Sequence, residues 1–467
     1  MPFARILRSS ALMGGAQIVV LAVGFMRTKV VALVFGATGI GLIGVLNTFN
    51  GNIASFAGWG LATSGVRTIA GAGESEKAEK IAAVRRLGYF LSWTGLFATV
   101  VLFWPMTRAT FSSDSYALEM AIAGLAVPCL VASGMWSALL QAMGRVKTLA
   151  KIQIIGALGG LILGMPFIYF LGTEGVALSV FFAAVVPAIA LWNAARRACP
   201  PVRVPVNPAD VSQLLQLGGA LMAVSWFAQL SAYVIRLIIV RESGLEAAGH
   251  YQAAYALAGS LPGFVFAAMS ADFFPRITAA QDESAAADIA EKQIQAGLLL
   301  ALPLLAILLT MGKLCVYLLF ARTFDGTLSL LPWMIWGVFL RLLAWPLGYW
   351  LLARGSARTV VLLELFGNLL ATLLPWLLLP AYGLVGAAMA FFASYALYAL
   401  VLIAIARARS GRFLSGRTLG VFAGAALVLL LAQVSVAHTA GLYWGLLPSA
   451  IIALGCFLVY RRALRRA

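Results

Sequence analysis

The chain has 467 residues, of which 62% are hydrophobic and only 10% charged, with a mean hydropathy of +0.97. Soluble domains carry about 25% charged residues, so water is excluded as the main solvent. The net charge of +17 would fit a nucleic-acid partner in a soluble protein, but the cations fall mainly between long apolar stretches, which excludes that partner too.

Each apolar stretch of about 20 residues is long enough to cross a hydrocarbon core about 30 Å thick, and its backbone polar groups must pair internally, as in a helix. The first, after Arg5 and Arg8, runs on past the short apolar region of a signal peptide and is expected to be a retained span. In chain order the spans are expected near 9–35, 39–62, 84–106, 116–142, 150–171 and 174–195. A second set follows near 213–240, 249–273, 293–319, 328–352, 359–380 and 382–406, and two more near 419–438 and 441–460. The expected fold is therefore an all-α polytopic membrane protein of about 14 helices. The longest loops, 63–83, 196–212 and 274–292, are too short for a catalytic domain.

With the N-terminus cytoplasmic, the loops on that side and both termini hold 25 of the 33 Lys and Arg. The opposite loops hold Arg108, Arg241 and Arg322 alone. The positive-inside rule then places both termini in the cytoplasm. Cys129, Cys199, Cys315 and Cys456 have no metal-ligand spacing and read as small apolar residues.

A duplication runs through the chain. Gly144, Lys147, Thr148, Gly156, Gly172, Gly175, Ala177, Phe181 and Arg196 are answered 211 residues later by Gly355, Arg358, Thr359, Gly367, Gly383, Gly386, Ala388, Phe392 and Arg407. Earlier in the repeat the offset is 209, pairing Arg27 with Arg236 and Arg67 with Arg276. The expected organisation is a six-helix lobe over 1–200, a repeat of it over 210–406, and two further helices with a basic tail over 407–467. Paired lobes of this kind enclose a central site and rock about it in transporters.

Five cations lie within or at the far ends of spans: Arg27, Lys29, Arg236, Lys313 and Arg341. A charge at membrane depth costs about 2.5–3.5 kcal/mol on insertion scales, so it faces a wet cavity or a partner. Arg341 stands thirteen residues into its span, near the midplane, where it either lines a substrate path or pairs with Glu364 or a backbone carbonyl. Arg27 and Arg236 occupy equivalent places in the two lobes, and an arginine fork suits phosphate oxygens. For Lys29 and Arg236 the alternative is snorkelling to outer headgroups, and Lys313 reads mainly as a snorkelling residue. Asn47 and Asn50 are spaced to share a helix face and offer amides either to sugar hydroxyls or to neighbouring helices. Glu364, Asp272 and His250 are candidates for carrying a coupling ion, each with an interfacial or paired alternative. No nucleotide-binding loop, catalytic constellation, metal cluster or cofactor motif is present in the sequence, so no catalytic residue, metal or cofactor is expected.

Several stretches resemble a known family. Gly24-Phe-Met-Arg27-Thr-Lys29 through Phe35-Gly36-Ala-Thr-Gly39-Ile-Gly41-Leu-Ile-Gly44 looks like its first helix and following turn. Gly249-His-Tyr251-Gln252-Ala with Phe274-Pro275-Arg276 looks like its seventh-to-eighth-helix region, and Leu351 to Arg358 like its tenth-to-eleventh turn. Over residues 5–406 the chain resembles the O-antigen translocases, the Wzx-type flippases of the multidrug/oligosaccharidyl-lipid/polysaccharide (MOP) exporter superfamily. The resemblance implies a flippase in the bacterial inner membrane. Its substrate would be an undecaprenyl-pyrophosphate-linked oligosaccharide, carried from the cytoplasmic to the periplasmic leaflet, with cavity cations such as Arg27 and Arg341 receiving the pyrophosphate. The implied partners are that lipid-linked saccharide, membrane lipid, a coupling proton or sodium ion, and polysaccharide-assembly proteins. Two departures stand out: the extra pair 419–460 is similar to the fourteen-helix peptidoglycan-precursor branch, and Gly337 and Val338 stand where the family often places an acidic residue. A cation-coupled multidrug exporter of the same superfamily is the second reading, though it calls for more deep acidic residues than this chain has. A membrane polymerase or ligase is the third, and it lacks the large outer loop such enzymes carry.

Overall fold

A computed structural model describes residues 2–437 except 74, 201–203, 206, 355–356 and 411–413. The described residues form helices and no strands. They are α1 (Pro2–Ala57), α2 (Leu61–Ala70), α3 (Lys77–Phe111), α4 (Ala117–Gly124), α5 (Val127–Ala142), α6 (Val146–Phe170) and α7 (Gly172–Ala198). The chain continues with α8 (Pro208–Thr278), α9 (Glu283–Thr310), α10 (Gly312–Leu319), a 3-10 turn (Arg322–Thr327), α11 (Leu331–Arg354), α12 (Ala357–Tyr382), α13 (Leu384–Ser410) and α14 (Gly416–Ala437). Among the described residues eleven helical stretches are long and apolar enough to span a membrane. The expected span at 441–460 lies outside the described residues.

Two of the eleven stretches, Gly14–Ala57 and Leu221–Gly259, are 44 and 39 residues long, about twice what one crossing needs. Each contains one glycine that leaves the helix: Gly36 at φ 61°, ψ −150° and Gly244 at φ 85°, ψ 172°. Only glycine tolerates that backbone region. These kinks fall between the spans expected at 9–35 and 39–62, and at 213–240 and 249–273, so each long helix supplies two limbs. The loop expected at 63–83 is largely helical, being taken up by α2 and the start of α3. The fourth expected span is two helices, α4 and α5, broken just before Pro128, which lacks the N–H to continue the ladder.

The described residues form two compact units, Met1–Gly249 and His250–Ala467. This division follows packing, whereas the lobes expected from the duplication follow sequence. In the first unit α6 and α7 meet through a ridge of small residues. A Cβ on Gly156, Gly160 or Gly164 would lie 2.5 to 3.0 Å from Pro187, Ala183 and Ser179 respectively. Small residues at four-residue spacing let apolar helices approach closely where lipid gives no hydrophobic drive.

The 211-residue repeat is visible in local geometry within each unit. Gly172 and Gly383 both start a helix-to-helix turn in the left-handed region, at φ 61° and 59°. A Cβ on Gly175 would lie 1.9 Å from the Phe167 carbonyl oxygen, and one on Gly386 2.2 Å from that of Leu378, the equivalent residue. Gly156 abuts Pro187, and Gly367 abuts Tyr398, again at matching places.

The outside of the molecule is apolar: Trp93, Phe97, Ile162, Phe170, Leu369, Trp376 and Leu400 are all exposed. Such a surface is stable against lipid tails and not against water. In the second unit α14 packs against α9 and α11. The Glu291 carboxylate accepts hydrogen bonds from the Ser415 backbone N–H at 3.0 Å and from the Ser415 and Thr418 hydroxyls. Farther along, Trp336 Nε1 donates to Gln433 Oε1 at 2.7 Å, and Phe339 stacks on Phe422.

Candidate functional site

The expected site residues divide between the two units. In the first, Arg27 sits on the first limb of α1, half-buried, and its buried Nε–H has no acceptor among the described residues. Lys29, two residues on, is also half-buried. Arg236 on the first limb of α8 is only 6% exposed and donates from Nη1 to the Ala232 carbonyl at 2.7 Å. A guanidinium so covered by protein does not reach for headgroups, so the snorkelling alternative does not hold for it.

Asn47 and Asn50 have different surroundings despite their three-residue spacing. Asn47 is exposed. Asn50 is buried and donates Nδ2–H to the Ala123 carbonyl of α4 at 2.9 Å, joining two helices, while its buried Oδ1 has no donor among the described residues. A third polar group, Glu119, is buried and accepts the Thr173 hydroxyl at 2.6 Å.

In the second unit Arg341 occupies the middle of α11. Its guanidinium carbon lies 5.0 Å from the ring centre of Phe266 and 5.7 Å from that of Tyr395. Ring faces attract a cation with about 0.5–2 kcal/mol each. Among the described residues it makes neither a hydrogen bond nor a salt bridge. Glu364 acts on it through space only; the Glu364 carboxylate instead accepts from the Tyr398 hydroxyl at 3.4 Å. Among the described residues, neither pairing considered for Arg341 from the sequence is made.

The aromatic floor extends on both sides. Tyr255 meets Phe391 edge-on, Phe391 meets Tyr395, and Phe266 and Phe273 both touch Trp345. The two rings flank the guanidinium, whose N–H groups have no acceptor among the described residues, an arrangement suited to a planar, bidentate oxyanion. Phe266 and Tyr395 were missed in the sequence. The available signal was the run Phe391, Tyr395, Tyr398, whose spacing places three rings on one face of α13.

His250 is half-buried. Its Nδ1 lies 3.2 Å from the Thr327 hydroxyl, and its ring meets Phe324 edge-on, so it ties α8 to the 3-10 turn. The side chain of Asp272 lies outside the described residues. Lys313 lies over the Tyr317 ring at 5.7 Å. Among the described residues no group of His, Cys, Asp and Glu could hold a metal ion.

A family model described as polysaccharide biosynthesis protein matches residues 6–281. The chain belongs to this family. The lipid III flippase of Escherichia coli (strain K12) is 21% identical over 404 residues, which is 84% of this chain and 95% of that protein. The lipid III flippase of Shigella flexneri matches equally well. Among solved structures, the lipid II flippase MurJ in an inward closed conformation has a TM-score of 0.76 at 13% identity, over 97% of this chain and 99% of its own. An inward-facing multidrug resistance MATE family transporter of the MOP superfamily has a TM-score of 0.67 at 14% identity, over 86% and 94%. At such identities the likeness is one of fold, and that fold is the one expected from the sequence. This member of the polysaccharide biosynthesis family is a multi-pass membrane protein whose fold is that of MurJ and the MATE transporters.

Proposed function

We propose that the protein is a flippase that carries a lipid-linked oligosaccharide, joined to its prenyl chain by a pyrophosphate, from the cytoplasmic to the periplasmic leaflet of a bacterial inner membrane. The observation that carries this reading is Arg341: a guanidinium in mid-span, flanked by Phe266 and Tyr395 and lacking any acceptor among the described residues. Holding such a charge in a membrane is costly unless an anion arrives to use it. Arg27, whose Nε–H is unpaired among the described residues, and Lys29 supply cations from the first repeat and Arg236 one from the second, and the exposed Asn47 offers an amide to sugar hydroxyls. Asn50 serves helix packing. The duplication supports alternating access, with lobes at 1–200 and 210–406.

The flippase relatives support the lipid-linked substrate; an O-antigen unit is the specific cargo we propose. Outward movement of an anionic headgroup is favoured by a negative interior, at about 2.3 kcal/mol per charge per 100 mV. Glu364, beside Arg341, is the candidate for a coupling proton.

The test is transport of a fluorescent polyprenyl-pyrophosphoryl oligosaccharide in proteoliposomes. Wild-type protein is expected to flip it, and Arg341→Ala to lose flipping with normal insertion. Full transport by Arg341→Ala would overturn the assigned role. Efflux of cationic drugs with no flipping would favour the multidrug reading.

A further inference from the structure

The first unit contains a polar cleft distinct from the mid-span arginines. An open cleft of about 590 Å³ is lined by Arg67, Thr68, Glu76, Lys80, Gln213 and Leu217, with Gly71 and Ala72 at its edge. That volume falls within the roughly 300–1,000 Å³ of ligand sites. The cleft lies where the ends of α2, α3 and α8 come together. α2 follows the second limb of α1, and α3 and α8 begin there, so the cleft opens on the face of the membrane from which the chain first enters.

Its polar groups are poised and largely unused. Among the described residues the Arg67 guanidinium, the Thr68 hydroxyl and the Gln213 amide make no hydrogen bond, while Arg67 is exposed into the opening. Lys80 is engaged, but with a partner from another helix: its ammonium is hydrogen-bonded to Asp210 of α8, with side-chain exposures of 17% and 9%. Glu76 is the one acidic lining residue, and it is exposed at the rim. The same seam is held by Trp59 Nε1–H donating to the Leu215 carbonyl at 2.9 Å and by the backbones of Gly60 and Gly218, where a Cβ on Gly60 would lie 2.4 Å from the Gly218 oxygen. Arg67 also has a repeat counterpart, Arg276, 209 residues on.

We infer that this cleft is a docking site for the pyrophosphate of the substrate at the cytoplasmic entrance, and that Lys80 exchanges Asp210 for the incoming anion. A pyrophosphate offers several oxygens and more charge than one carboxylate, so it can take a donor each from Arg67, Thr68, Gln213 and Lys80. When it does, Asp210 loses the partner that offset its burial. The first turn of α8 then separates from α3 to rehydrate the carboxylate, and the seam opens where headgroup binding has just occurred. This deepens the proposed function and rests on it.

The experiment measures binding of polyprenyl pyrophosphate to full-length protein in neutral-lipid nanodiscs, with wild type, Arg67→Gln, Lys80→Gln and Asp210→Asn. Inorganic pyrophosphate and phosphatidylglycerol serve as competitors. Arg67→Gln and Lys80→Gln are expected to weaken binding about tenfold, the loss of one charge-assisted contact. Asp210→Asn is expected to tighten it, because Lys80 is freed.

Opposite signs for Lys80→Gln and Asp210→Asn are the decisive result, since a merely structural ion pair would make both variants fail alike. Equal effects of these two variants would overturn the inference, as would full affinity in Arg67→Gln. Competition by inorganic pyrophosphate with the same variant pattern supports it and shows that the headgroup suffices. Equal competition by phosphatidylglycerol overturns it in favour of generic lipid attraction. If wild-type protein flips substrate and the three variants leave binding unchanged, the inference fails while the flippase reading stands; if wild type neither binds nor flips, the flippase reading itself fails.

Discussion

Replacing Gly249 by alanine tests whether the kinked ends of α1 and α8 form a gate. The two kinks, at Gly36 and Gly244, lie on the face opposite the N-terminus, and just beyond them the backbones touch. A Cβ on Gly249 would stand 1.8 Å from the Ala37 carbonyl oxygen, and one on Gly41 2.1 Å from that of Leu245. Both obstacles are backbone, so no rotamer relieves them. Overpacking costs about 1–3 kcal/mol when side chains can adjust, and here the upper end applies. About 3 kcal/mol against the closed arrangement alone shifts its ratio to an open one by roughly a hundredfold.

The reporter is Ala248→Cys, a position 1% exposed, in a protein whose cysteines at 129, 199, 315 and 456 have been replaced. Labelling by a membrane-impermeant thiol reagent is expected to speed up by one to two orders of magnitude on adding Gly249→Ala. A lower thermal midpoint with unchanged labelling would refute the gate and leave plain packing. Unchanged labelling with an unchanged midpoint would refute the close contact itself.

Arg341→Lys keeps the charge but loses the planar fork, and is expected to slow flipping at least tenfold in proteoliposomes while remaining fully inserted. Phe266→Leu removes one face contact, about 0.5–2 kcal/mol, and should raise the substrate concentration needed for half-maximal flipping more than it lowers the maximal rate. Glu291→Ala strips the carboxylate that holds the start of α14; for this half-buried acceptor the expected loss is about 1–2 kcal/mol, read as a lower thermal midpoint in detergent that Thr418→Ala does not deepen additively. Gly160→Leu would drive a side chain into the backbone of Ala183 and should abolish recovery of folded protein, whereas Gly14→Ala, with nothing within 4 Å, should be neutral by the same size-exclusion measurement.

The spans and the duplication were readable because both are local or periodic properties. A membrane crossing needs an apolar run of fixed length wherever it occurs, and turn glycines such as Gly172 and Gly383 keep their spacing because glycine enters the left-handed region without the steric cost other residues bear. Helix boundaries were less readable. The bends at Gly36 and Gly244 leave α1 and α8 continuous, and no hydropathy signal separates a kink from a loop. Arg341 announced itself as a charge in an apolar run, but Phe266 and Tyr395 could not be singled out among 27 Phe and 13 Tyr. The three-residue spacing of Asn47 and Asn50 spoke for a common face, yet α4 covers one and leaves the other open.

The amino-acid sequence by itself determined that this protein lives in a membrane, that it is all-helical and duplicated, and that a few cations lie at depth, because lipid imposes those demands residue by residue. Tertiary structure decided what each polar group meets. It set Arg341 on two rings from α8 and α13, gave Arg236 a carbonyl and Asn50 a neighbouring helix, and joined Lys80 to Asp210 across 130 positions beside an open basic cleft. A polar side chain's role depends on its partners, and partners distant along the chain are chosen by packing.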